Sequence, residues 1–131
     1  MSVPKSKRKP TTMQFLHTAR VIQSFCVEHW DRENSALLRE IVILSTRIHA
    51  HVSTANSIYP ENQTEAKERR MQVKMALAFV YSLKHQVSVA YRYELMSTGV
   101  QKELNEHLEH EKALLKGLLK KDKERYKGLP L

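Results

Sequence analysis

Met75-Ala-Leu-Ala-Phe-Val-Tyr81 sits near the middle of a stretch, Thr64 to Met96, that runs for thirty-three residues without a Gly or a Pro. Nothing in it interrupts a helix, and at about 1.5 Å per residue it would reach roughly 50 Å. A helix of that length draws its stability from packing partners. Met71, Met75, Ala78, Ser82, Leu83, Gln86, Val87, Ala90 and Tyr91 recur at three- and four-residue spacing and form one inward stripe. Leu77, Phe79, Val80 and Tyr81 then leave no wide polar face at the centre. This predicts cover on more than one side, from the other helices of a bundle and from a second subunit. With Ile41 and Val42 of the preceding segment, those four residues make the candidate oligomer interface.

Working outward, Pro60 separates this helix from another over about 35–59, in which Ile41, Val42, Ile43, Leu44, Ile48, Val52, Ala55 and Ile58 are apolar. The polar residues 28–35 connect that helix to a first one over about 12–30. Thr11-Thr-Met-Gln14 has the form of a capping box, and Phe15, Leu16, Ala19, Ile22, Phe25, Cys26 and Trp30 follow as a buried stripe. Asn62-Gln-Thr-Glu65 caps the long helix, which ends near Met96. Thr98-Gly-Val-Gln101 is a second capping box and starts a fourth helix over about 99–127. Leu104, Leu108, Leu115, Leu118 and Leu119 form its stripe, with Glu111 intruding, before Gly128 and Pro130 close it. Four helices with short connections, over residues 11–128, predict an all-α fold: an antiparallel up-and-down four-helix bundle. Residues 1–10, with four cations and two prolines, read as a flexible basic arm, and 129–131 as a tail.

The 131 residues suit one domain, and three glycines with 7% aromatic residues fit helices better than a sandwich or barrel. The lone Cys26 has no intrachain disulfide partner and lies in an apolar stripe, which predicts an inert core thiol. No apolar run approaches the roughly 18 residues of a membrane span, and the basic start lacks the apolar segment of a signal peptide. A cytoplasmic protein is the expectation.

A net charge of +8 favours polyanionic partners. In an up-and-down bundle the arm, the end of the second helix, the start of the third and the end of the fourth share one pole. That pole collects Lys5, Lys7, Arg8, Lys9, Lys67, Arg69, Arg70, Lys74, Lys116, Lys120, Lys121, Lys123, Arg125 and Lys127, fourteen cations against five carboxylates. The other pole holds eight carboxylates (Glu28, Asp31, Glu33, Glu40, Glu94, Glu103, Glu106, Glu109) against four cations. The third helix also begins at the basic pole, offering backbone amides suited to a phosphate. No RNP-type aromatic box or zinc-finger spacing accompanies it, so these fourteen residues are candidates for nucleic-acid contact through backbone and shape.

Enzyme chemistry finds little support. Carboxylate-bridged di-iron bundles need Glu-x-x-His pairs on two helices, and the chain has none. His107 and Glu111 lie one turn apart, but His49 and His51 point to different faces and supply no matching pair. There is no Ser/His/Asp or Cys/His constellation and no Gly-rich phosphate loop. The expectation is a protein with no metal, no cofactor and no catalytic residues.

Met1-Ser-Val-Pro-Lys-Ser-Lys-Arg8, Ala55-Asn-Ser-Ile-Tyr59, Arg69-Arg70 with Gln72, Ala76-Leu77, Tyr81-Ser-Leu83, Ala90-Tyr91 and Lys121-Asp-Lys-Glu-Arg-Tyr-Lys127 are short identities scattered over most of the chain. In these the sequence resembles the four-helix-bundle accessory variability determinant proteins of bacterial diversity-generating retroelements. The resemblance implies a ring- or barrel-shaped homo-oligomer, a pentamer. It also implies partnership with a retroelement reverse transcriptase, association with structured RNA or an RNA–DNA hybrid, and support of mutagenic reverse transcription. Two alternatives explain the same bundle and charge: a generic helical adaptor, and the bundle proteins encoded in ribosomal-RNA intervening sequences.

Overall fold

A computed structural model describes residues 14–131. The expected basic arm, with Lys5, Lys7, Arg8 and Lys9, and the expected Thr11 cap lie outside the described residues. Four helices follow: α1 (Gln14–Trp30), α2 (Ala36–Ser57), α3 (Gln63–Arg92) and α4 (Thr98–Arg125). Each packs on its neighbours in the chain and α1 closes against α4, while the diagonal pairs make no close backbone approach. Paired contacts give the directions. Lys84 meets Glu109 and Arg69 meets Asp122 across α3 and α4, and Phe25 meets His107 across α1 and α4. The arrangement is the antiparallel four-helix bundle that the four apolar patterns predict.

Its core follows a coiled-coil-like rhythm. On α3 the buried side chains are Ala66, Arg69, Val73, Ala76, Val80, Leu83, Val87 and Ala90, at alternating three- and four-residue spacing. Such an alternation keeps one seam on the bundle axis. Leu38, Ile41, Ser45, Ile48, Val52 and Ala55 do the same on α2, as do Leu104, Leu108, Glu111, Leu115, Leu118 and Asp122 on α4.

The inward stripe expected for α3 holds at Leu83, Val87 and Ala90 and is corrected elsewhere. Met71 and Met75 are 51% and 40% exposed, and Ala78, Ser82 and Tyr91 also face solvent. The helix carries two apolar stripes, and the bundle buries the one with β-branched and small residues. Two residues of the candidate oligomer interface are corrected with it. Ile41 and Val80 are fully buried inside their own bundle, and Leu77, Phe79 and Val42 are half-buried against the same core. Only Tyr81 of the six is exposed, at 45%. The apolar centre of α3 is covered because α2 and α4 flank it.

Three of the ends differ from the expected ones. Ser97, not Thr98, caps α4, its hydroxyl accepting from the Val100 amide at 3.2 Å. Asn62 caps α3 as expected, accepting from the Glu65 amide at 2.9 Å. α3 stops at Arg92 rather than Met96 because Glu94 adopts φ 59°, so the Leu95 amide returns to Ala90 and the Glu94 amide to Tyr91. These are the two hydrogen bonds of a Schellman cap, with Glu where Gly is usual. The residues expected to be a tail are held: the side-chain amide of Gln63 donates to the carbonyl of Leu129 (3.0 Å) and its backbone amide to that of Pro130 (2.8 Å), while the same side chain also reaches the carbonyls of Tyr126 (2.8 Å) and Lys127 (3.3 Å) just past α4.

Candidate nucleic-acid interface

At the pole where α2 ends, α3 begins and α4 ends, the candidate cations have different fates. Arg69 sits on the buried seam of α3, so its guanidinium points into the bundle. Its Nε donates to Asp122 Oδ2 at 2.6 Å, and Nη1 donates to the carbonyls of Ala55 (3.0 Å) and Ile58 (3.2 Å). Both charged partners are buried. The group thus ties α3 to α4 and closes the end of α2, adding a second donor to the Ala55 carbonyl, which the Ile58 amide also meets at 3.2 Å, and reaching that of Ile58 beyond the last turn. Arg69 leaves the set of nucleic-acid candidates for that reason.

The expected amides at the start of α3 are also mostly occupied. The Gln63 amide donates to Pro130 at 2.8 Å, and Asn62 takes the Glu65 and Ala66 amides. Folding back of the C-terminal residues fills a position that an anion would otherwise use.

The exposed cations divide between two sides of α4. Lys121 and Arg125 face α1, lining a pocket of about 250 Å³ with Phe15, Ala113, Leu114, Gly117 and Leu118. Facing the other way, Arg70 of α3 joins Lys123 and Lys127 around a depression of about 260 Å³, floored by Ala66, Asp122 and Tyr126. Lys67, Lys74 and Lys120 are exposed. Lys116 continues this second side, its ammonium 5.9 Å from the centre of the Tyr81 ring.

Lys84 and Lys112, which belong to neither pole, extend it further. Both pair with Glu109, Lys112 at 2.8 Å. Lys112, Lys116, Lys120 and Lys123 recur every three or four residues, so they wind along one face of α4 over roughly 16 Å, and Lys127 follows in the turn just past its end. The positive charge is therefore a ridge along the α3/α4 seam as well as a pole. A signal for it was present in the lysine spacing of α4, but α3's contribution required the correct helix rotation. Along this ridge, a hydrogen bond from Lys116 and the charges of Lys112 and Lys84 hold the Tyr81 phenol below its usual pKa. Burial, then repulsion from Lys112, lowers that of Lys84.

Cys26 and Glu111 are the other two buried ionisable side chains the burial pattern singles out among the described residues. Cys26 is buried and its thiol is pushed up to about 12 by that burial, partly offset by Ser45. Glu111 is fully buried with neither carboxyl oxygen hydrogen-bonded, and burial pushes it up to about 9. Among the described residues no three His, Cys, Asp or Glu side chains are placed to hold a metal ion, and His107 packs edge-on against Phe25 instead. No described helix is long and apolar enough to cross a membrane.

No protein-family model matches the chain, and no curated protein or solved structure matches it.

Proposed function

We propose that this chain is a non-enzymatic nucleic-acid-binding accessory protein that grips phosphates along its α3/α4 ridge. The observation that carries the reading is the ridge itself: Arg70, Lys84, Lys112, Lys116, Lys123 and Lys127 gathered on one side by contacts across two helices. A row of ammonium groups one helical turn apart suits a phosphate backbone and carries no means of reading bases. The sequence resemblance to retroelement accessory proteins supplies the rest of the proposal. The polyanion is structured RNA or an RNA–DNA hybrid, the protein partner is a reverse transcriptase, the setting is the bacterial cytoplasm, and the working form is a pentameric ring. Exposed Met71 and Met75 on the outer side of α3 favour self-association there.

Binding to RNA should fall steeply with salt, with a log–log slope of about −0.7 to −0.9 per phosphate contacted. Reversing Arg70, Lys74, Lys120 and Lys123 to Glu should weaken all sequences alike and flatten that slope. The control reverses Arg32, Arg39, Arg92 and Lys102 at the acidic pole. Equal losses in both variants, read by fluorescence anisotropy, would remove the ridge as the binding site.

A further inference from the structure

Halfway along the bundle the ridge changes character. Tyr81 and Lys84 of α3 face Glu109, Lys112 and Lys116 of α4, each set spaced by three or four residues and so on one helix face. Lys84 and Lys112 share the single carboxylate of Glu109, whose oxygens they divide. Lys116 pairs with no carboxylate of the described residues and stands over the Tyr81 ring. Three ammonium groups and a phenol hydroxyl thus converge with one carboxylate among them, leaving two positive charges unbalanced. Like charges held this close repel one another unless an anion joins them.

We propose that Tyr81, Lys84, Lys112 and Lys116 form a site for a phosphomonoester dianion, the terminal phosphate of a nucleic-acid strand. A phosphodiester carries one negative charge, whereas a monoester carries about 1.5 to 2 near pH 7 and presents three acceptor oxygens. The excess charge of the quartet matches the second. Lysines supply the point charges and the Tyr81 hydroxyl a directed donor. The strand identity rests on the nucleic-acid reading of the ridge; the monoester chemistry rests on the quartet alone.

The experiment titrates the full chain at fixed ionic strength with an eight-nucleotide RNA, with and without a 5′-phosphate, and with inorganic phosphate followed by 31P NMR. The phosphorylated strand should bind about tenfold more tightly, the scale of one hydrogen-bonded charge pair. Lys112→Gln and Tyr81→Phe should shrink that ratio towards one. Glu109→Gln should enlarge it, because it removes the carboxylate that competes with the ligand. Lys123→Gln should weaken both RNAs equally and leave the ratio unchanged. Equal binding of the two RNAs by the unaltered protein would overturn the quartet as a monoester site and leave the ridge intact. Saturable inorganic phosphate binding that Lys112→Gln abolishes, with no RNA binding, would support the quartet and remove the nucleic-acid reading. Phosphate binding unaffected by both quartet variants would overturn the proposal.

Discussion

Arg69 and Glu111 are both ionisable side chains on the buried seams of one bundle, and their surroundings differ in every respect that sets the cost of burial. Arg69 finds Asp122 and the carbonyls of Ala55 and Ile58, so its charge is met in several directions. Glu111 finds nothing, and burial keeps its proton on far above the usual carboxylate range. A core tolerates a charge by pairing it, or a carboxyl by neutralising it. The first solution lies near the pole where three helix ends need closing; the second lies mid-helix, where no backbone group is free.

Removing one partner of the pair gives the largest expected loss. Arg69→Met should cost about 3 kcal/mol in denaturant unfolding, because Asp122 is left buried with only Arg125, 3.9 Å away and partly exposed, to face its charge. Arg69→Met with Asp122→Leu should recover most of this. A remainder of about 1 kcal/mol would be the Ile58 carbonyl, left without the guanidinium, since that of Ala55 keeps the Ile58 amide. A double variant no better than the single would mean that the guanidinium acts as a cap and not as half of a pair.

Glu111→Leu should act in the opposite direction. The folded carboxyl titrates near 9 and the unfolded one near 4.5. Between those values the folded state holds a proton that the unfolded state has released, so stability falls as pH rises. The slope is about 1.4 kcal/mol per pH unit, and above pH 9 it vanishes. At pH 7 the substitution should therefore stabilise by about 3 kcal/mol, and at pH 4 the gain should shrink towards the packing difference alone. A gain that does not depend on pH would show that Glu111 is not neutral in the fold.

The legibility of the sequence follows the same division. In α1, α2 and α4 a single apolar stripe faces a polar one, so the core residues Ile22, Ile48 and Leu108 could be read from spacing. In α3 the stripe of Met71, Met75 and Ala78 competes with that of Val73, Ala76 and Val80, and three- and four-residue spacing alone does not say which faces the axis, although the valines are the more hydropathic. Arg69 read as a surface cation because its type is rarely buried. Its register was the available signal, since Arg69 continues the spacing of Ala66 and Val73, and Asp122 that of Leu115 and Leu118. The ridge was half legible for this reason: the lysines of α4 are periodic, while Tyr81 and Lys84 join them only once α3 is turned correctly. The Gln63 clamp on the C-terminal residues had no local signal at all, being a contact between positions more than sixty residues apart.

The smallest of these effects is in the backbone, where Glu94 is the counterpart of Glu111: a residue whose position suits it poorly. Its φ of 59° closes the α3 cap. That conformation costs a side-chain-bearing residue roughly 1–2 kcal/mol, from the approach of Cβ to the carbonyl oxygen. Glycine escapes the clash but loses more entropy on folding, about 0.5–1 kcal/mol. Glu94→Gly should therefore gain about 1 kcal/mol or less, a shift of a few degrees in Tm for a chain of this size. Removing a carboxylate from the negative end of α3 adds a few tenths more. Glu94→Ala separates the two causes, because it discards the charge and keeps the β-carbon. If the Ala variant is as stable as the Gly variant, the charge at the helix end was the whole cost, and the cap carries no conformational strain.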